Sequence, residues 1–281
     1  MFKKDSNFYS RVKEKVDGNW GKIVIGVLVF TLIKVVISAV INHNFIFQII
    51  GQVGSGNLSL FKVAQKESFI FVFLSNAVLS IITSVIYIGL LIEGYKFVKT
   101  GEFNYKNIYA NIKNHFNKIL VCVSLIEIIT SFLGAINSAA GPKPGLFFLS
   151  VSTAISINLS IRFVYLPYLI VEKENESVLD YLKDSWKLTK GIETQIISIY
   201  LYYFWFLFVG FVPWMIGTYF FTMGMLANSM SIVLIGASFL VVGFIWIAGV
   251  SLKKYPYVIV AYALFYEEHV EYLLSSIKVW W

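Results

Sequence analysis

Six apolar runs divide this chain: Ile23–Ile41, Phe69–Ile92, Ile119–Asn137, Phe147–Val171, Ile196–Phe221 and Ile232–Leu252. A helix needs about 20 apolar residues to cross the hydrocarbon core of a bilayer, and each run is of that order. The fold class that follows is all-α, a polytopic membrane bundle of six transmembrane helices. Only 14% of the 281 residues are charged, against about 25% in a soluble domain. The gaps between runs stay under 30 residues, too short for a further soluble domain of about 50. The expectation is a single integral membrane domain over 1–281.

Lysine and arginine placement sets the orientation of such a bundle. With the N-terminus inside, eighteen basic residues fall on the cytoplasmic side and three, Lys62, Lys66 and Lys143, on the outer side. Both termini are therefore expected in the cytoplasm, and the net charge of +7 belongs to the face that meets anionic head groups. The basic residues are membrane-adjacent and nowhere dense, which argues against nucleic acid. The first run is longer than a signal-peptide core of about 7–15 residues and lacks an A-x-A site, so it reads as a retained span. Cys122, the single cysteine, permits no intrachain disulfide.

Three segments read as cytoplasmic amphipathic helices at the interface, each preceding a span. The clearest is Ser177–Lys190. Ser177 and Asp180 form an N-cap pair. Leu179, Leu182 and Trp186 share one face, Lys187 and Lys190 suit the negative end of the dipole, and Gly191 supplies a left-handed stop. Such a helix is expected to lie flat on the inner leaflet. Phe8–Trp20, with Phe8, Val12, Val16 and Trp20, and Tyr105–Phe116, with Tyr105, Ile108, Ile112 and Phe116, repeat the outline. A three-fold repeat of interfacial helix plus hairpin is the resulting expectation, over 8–92, 105–171 and 177–272. Glycine and proline mark the outer loops Asn42–Ser68 and Ser138–Gly145. Pro256 is expected to break the last helix, leaving an aromatic-rich tail, Tyr257–Tyr272, at the interface.

Several short patches carry a resemblance. Pro256-Tyr257, seven residues and then Phe265-Tyr266-Glu267 resembles a C-terminal motif of the bacterial membrane-protein family called domain of unknown function 975. Ser185-Trp186-Lys187-Leu188-Thr189-Lys190-Gly191 is similar to that family's element before its fifth span. Gly18-Asn19-Trp20 and Arg162-Phe163-Val164-Tyr165-Leu166-Pro167-Tyr168 are similar too. The stretch from Gly191 to Pro256 is longer than the family pattern, and Phe204-Trp205 stands where it has Gly-Trp. The resemblance implies six spans in a bacterial inner membrane and no assigned activity. A more distant similarity reaches membrane regions attached to some glycerophosphodiester phosphodiesterases, whose catalytic segment this chain lacks.

Charges inside a span are costly and mark candidate sites. Lys34, Glu127 and Arg162 lie about 16, 12 and 13 Å into their runs at 1.5 Å per residue. Glu127 and Arg162, at matching depth on one hairpin, are placed to pair, with Lys34 as a second cation. One reading is a structural ion pair; the other is a polar cavity for an anionic or amphipathic solute. On the pairing, Arg162→Ala should partly rescue Glu127→Ala. Asn76, Asn137 and Asn158 read as hydrogen bonds between helices. His43, His115 and His269 lack metal-ligand spacing, and Glu267-Glu268-His269 reads as a solvated face. There is no Walker motif and no G-x-S-x-G, so no metal, cofactor or catalytic residue is expected. The expected role is non-enzymatic: an accessory or partner protein in envelope or lipid homeostasis or self-protection, touching anionic lipid and a protein partner in the same membrane. The second expectation is a small permease or export component built on the three charges. A lipid-modifying enzyme ranks last.

Overall fold

Helices make up every regular element among the described residues, 7–41, 69–139, 142–173, 175–227 and 229–278, of the computed structural model. They are α1 (Phe8–Asp17), α2 (Trp20–Ile41), α3 (Phe69–Thr100), α4 (Asn107–Ala139), α5 (Pro142–Arg162), α6 (Leu166–Glu172), α7 (Val178–Thr189), α8 (Glu193–Phe204), α9 (Leu207–Leu226) and α10 (Met230–Lys278). Six stretches of the described residues are long and apolar enough to cross a membrane: Trp20–Ile37, Phe73–Thr100, Asn107–Ile136, Ser150–Glu172, Leu207–Leu226 and Met230–Leu273. The chain is thus an all-α, multi-pass membrane helix bundle. The expected loop Asn42–Ser68, and Ala140 and Gly141 of the next outer loop, lie outside the described residues.

Two compact units form. One gathers Met1–Lys34, Ser68–Ile199 and Pro256–Trp281; the other gathers Val35–Glu67 and Tyr200–Tyr255. In the first, the residues after Pro256 occupy the centre. Val258, Ile259, Val260, Ala261, Ala263, Phe265 and Tyr266 are all buried, so this stretch of α10 is covered on every side. A helix apolar all round belongs in a core, and the tail expected at the interface is core instead. The expected break is absent as well: α10 runs through Pro256 without interruption, and Pro256 is buried. Proline forfeits one backbone donor, a loss that helix packing inside a membrane protein tolerates. A Cβ at Gly94 of α3 would collide with Ile259 Cγ2, and one at Gly89 would lie 2.5 Å from Ile112 Cγ1. Glycine at these two positions lets α10 and α4 approach the α3 backbone.

Helix α1 packs onto this core and is not a free surface helix. Phe8, Val12 and Val16, spaced by four, are fully buried, and burial of such side chains contributes about 1.5–3 kcal/mol each. Phe8 meets Phe265 edge-on with ring centroids 6.0 Å apart. Polar bonds surround that contact. Arg11 pairs with Glu268 at 2.8 Å, Lys15 Nζ donates to the Val98 carbonyl at 3.2 Å, and the Tyr257 hydroxyl donates to Asp17 Oδ1 at 2.8 Å.

The second expected surface helix is the opening of α4, which continues into the third span with non-helical geometry at His115 (φ −117°, ψ 16°). Gly101, at φ +78°, closes α3 in the left-handed region that favours glycine. The link from α3 to α4 is tied down by Glu93, only 1% exposed. Its carboxylate accepts from the Asn104 amide at 2.9 Å and Asn111 Nδ2 at 3.0 Å. Lys96 Nζ donates to Asn111 Oδ1 at 2.6 Å. The fourth span, expected as one helix, is broken at 163–165 into α5 and α6, with Pro167 in the first turn of α6. Proline favours a first turn because its missing N–H has no intrahelical role there.

In the second unit, Gly210, Gly217 and Gly224 recur every seven residues along α9 and are buried. A Cβ at Gly217 would lie 2.7 Å from the Leu240 amide nitrogen, and one at Gly224 would lie 2.6 Å from that of Val233. The α9 and α10 backbones therefore touch, as small residues at a membrane helix interface allow. Trp246 Nε1 donates to the Phe206 carbonyl at 3.0 Å.

Candidate membrane-facing site

The three span charges do not share one site. Lys34 is exposed on α2. Glu127, on α4, accepts from Ser84 Oγ at 2.5 Å and from Thr130 Oγ1 at 3.0 Å. Arg162 Nη2 pairs instead with Glu193 Oε1 at 2.7 Å. The expected Glu127–Arg162 pair is therefore replaced by two separate arrangements. Arg162 is the last residue of α5, so its side chain reaches past the break to the first residue of α8. Glu127 is satisfied by hydroxyls nearer to hand. Matching depth is an incomplete criterion, because two residues at one depth must also face each other around their helix axes.

Arg162 organises a junction. Its carbonyl, freed by the break in the span, accepts from Ser185 Oγ at 2.8 Å and from Thr189 Oγ1 at 3.4 Å. Its guanidinium lies over the Trp186 ring, 5.1 Å from the centroid, a cation–π contact. Glu193 completes the link, its other oxygen accepting from the Gly191 amide at 2.9 Å. The Glu193 carboxyl is held below its ordinary range, chiefly by its own backbone N–H, with Gly191 and Arg162 adding to the effect.

Helix α7 is fastened at its start too. Ser177 caps it, accepting from the Asp180 amide at 3.3 Å while donating to Asp180 Oδ2 at 2.6 Å; this bond with Ser177 also lowers the Asp180 carboxyl. Gly191 follows the helix at φ +89°, so both expected end signals are present. The Tyr181 hydroxyl donates to the Lys173 carbonyl at 2.5 Å and accepts from Lys118 Nζ at 3.2 Å. Lys173 Nζ donates to Asp184 Oδ2 at 2.6 Å, and that bond raises the lysine's pKa.

These contacts give α7 a reversed amphipathicity. Its buried residues are Tyr181, Ser185 and Thr189, a polar stripe spaced by four. Of the apolar residues singled out from the sequence, Leu179 faces away from the protein, whereas Trp186 keeps one side against Arg162 and Phe163. Leu179 is 72% exposed and Trp186 44%, and Leu182 is half-buried. Lys183, Lys187 and Lys190 are exposed beside them. A soluble protein would bury the apolar edge of such a helix; a helix at a membrane interface presents it outward between lysines.

A second polar cluster lies where α6 ends. Glu172 accepts from the Tyr95 hydroxyl, from Tyr266 at 2.6 Å and from Lys99 Nζ at 3.0 Å. The Tyr266 ring centroid is 4.9 Å from that of Tyr165 and 5.0 Å from that of Tyr168. The rings pack directly on one another, so one carboxylate ties α3, α6 and α10 together. Glu172, Tyr95 and Glu193 escaped the sequence reading, and Tyr266, Ser185 and Thr189 entered it only as letters of the resemblance, with no role attached. The four-residue spacing of Tyr181, Ser185 and Thr189 was its one visible signal. No group of three or more His, Cys, Asp or Glu side chains is placed to hold a metal among the described residues.

Comparison of the chain with protein-family models, with curated proteins and with solved structures finds no match in any of the three.

Proposed function

We propose that this chain is a non-enzymatic multi-pass protein of the bacterial cytoplasmic membrane. It acts as an accessory or partner protein in envelope or lipid homeostasis or in self-protection, with both termini inside and α7 seated in the anionic inner leaflet. The observation that carries the reading is the reversed amphipathicity of α7. Its polar stripe is bonded to the protein, while Leu179 and the exposed side of Trp186 lie outward among exposed lysines. The lysine and arginine bias supports the side, each basic residue near an anionic surface contributing about 1 kcal/mol. The permease alternative requires Lys34, Glu127 and Arg162 to line one cavity, and the partners taken by Glu127 and Arg162 weigh against it.

Spin labelling tests the seating of α7. In a Cys122→Ala background, Leu179→Cys and, separately, Asn175→Cys, at an exposed position before the helix, carry a nitroxide in the full chain reconstituted with phosphatidylglycerol. The expected result is preferential collision with oxygen at 179 and with a water-soluble nickel reagent at 175. Equal water exposure of both labels would refute it. Native mass spectrometry tests the partner role: a second membrane protein retained at fixed stoichiometry is expected, and a chain that always flies alone would count against it.

A further inference from the structure

Helix α4 departs from helical geometry at His115. A residue of that kind disturbs the i→i−4 ladder and bends the helix. Beside the bend lies an open groove of about 650 Å³, whose lining includes Tyr109, Lys113, His115, Phe116, Asn117 and Lys118 and contains no carboxylate. Its chemistry is that of an anion site. Lys113, Lys118 and Asn117 are among its lining residues, and Lys113 and Asn117 are exposed. Lys118 reaches it from the Tyr181 side, where its Nζ also stands 5.6 Å from the ring centroid.

The rim is apolar and aromatic. Tyr109 is 73% exposed and Phe116 44%, one on each side of the bend at His115. Aromatic side chains in such positions mark the head-group level of a membrane. Just beyond, from Ile119 onward, α4 turns apolar. Phosphate is the anion abundant at that level, and its several acceptor oxygens match several separate donors better than a carboxylate does.

We propose that the groove at the α4 bend is a phosphate-binding site, holding the phosphate of an anionic phospholipid or of a small phosphorylated solute between Lys113, Lys118 and Asn117. The inference rests on the membrane-interface reading above and adds a discrete head-group site to it. Tyr181, which accepts from Lys118, joins the groove to α7.

The test uses the full chain in a mild detergent, titrated with phosphatidylglycerol or phosphatidylcholine and followed by native mass spectrometry. One phosphatidylglycerol should be retained per chain in preference to phosphatidylcholine. Lys113→Glu should weaken that retention about tenfold, the factor that about 1.4 kcal/mol carries. Lys106→Glu, the same charge reversal outside the groove lining, should leave it within about twofold. Lys113→Gln, a milder change at the same exposed position, guards against a folding defect in the charge reversal and should also weaken retention. Displacement of the lipid by excess inorganic phosphate would identify phosphate alone as the ligand. Retention against inorganic phosphate, with loss in Lys113→Glu, would make the lipid the ligand. The site is overturned if Lys113→Glu binds as the unaltered chain does, if Lys106→Glu weakens binding equally, or if phosphatidylcholine is held as well. The nitroxide at 179 reports α7 separately: unchanged collision with oxygen in Lys113→Glu would show that the groove alone had failed.

Discussion

Replacing Ser185 with alanine removes the shorter of the two hydroxyl bonds to the Arg162 carbonyl, the one at 2.8 Å. Thr189 Oγ1, at 3.4 Å, is too long to take over fully, so about 1 kcal/mol should be lost, the usual net value of a neutral hydrogen bond. Ser185→Ala combined with Thr189→Val strips the carbonyl of both donors. An acceptor left unsatisfied in a covered position costs about 1–3 kcal/mol, so the pair together should cost roughly 2–3 kcal/mol. For a chain of this size each kcal/mol is worth about 2–4 °C in Tm. The single variant should therefore melt about 2–4 °C lower and the double variant about 4–12 °C lower. The two changes share one acceptor and should not simply add. Thermal melting of the purified chain by circular dichroism reads the loss, and the nitroxide at 179 reads whether α7 leaves its seat. A double variant that melts with the unaltered chain and keeps its label in lipid would refute the idea that the broken span holds α7 through this carbonyl.

Three further outcomes follow from the packing. Glu127→Ala and Arg162→Ala should each destabilise the chain without rescuing one another, their costs adding within about 0.5 kcal/mol, because Arg162 pairs with Glu193; a melting cycle that shows rescue would restore the pairing. Gly217→Ala places a Cβ 2.7 Å from the Leu240 backbone nitrogen and should cost about 1–3 kcal/mol, whereas Gly249→Ala meets nothing within 4 Å and should be neutral or gain up to about 1 kcal/mol; equal melting of the two would count against a close-packed α9–α10 hairpin. Glu193 has a depressed carboxyl pKa, so its contribution is complete above the unfolded value of about 4.3 and is lost as pH falls through the folded value. Lys173 has a raised pKa, so its contribution is complete below about 10.4 and fades as pH climbs through the folded value. Melting against pH should slope downward at both extremes, and Glu193→Gln should flatten the acid limb alone.

Length and hydropathy were enough to count the spans, because a run of the required length has few alternatives in lipid, but not to bound them: the expected fifth run, Ile196–Phe221, straddles the break at 205–206 between α8 and α9, and the span is Leu207–Leu226. The ends of α7 were equally legible: Ser177, Asp180 and Gly191 act within a few residues of themselves, and local chemistry decides them. What escaped was azimuth and competition. Glu127 and Arg162 lie at similar depths, yet Ser84, Thr130 and Glu193 supply nearer partners that no linear distance along a run reveals. The apolar stripe of α1 looks like that of α7, but the first is covered by Phe265 and its neighbours while the second is open at Leu179 and only partly covered at Leu182 and Trp186. The stretch after Pro256 carries aromatic residues suited equally to an interface or to a core, and only the covering helices decide between them. The seven-residue glycine spacing of α9 was visible in the letters and acquires meaning once α10 is laid against it.

The clasp between α1 and α10 has a consequence for the order in which the molecule is made. Asp17 and Tyr257, which bond at 2.8 Å, are 240 residues apart. A ribosome adding about 5–20 residues per second needs roughly 12–48 s to cover that separation. During this interval Phe8, Val12 and Val16 have no Phe265 to cover them, and an apolar stripe on a nascent helix beside a membrane rests in the interface. The same three side chains thus wait for their cover until nearly the whole chain has been made, and its arrival closes the first unit.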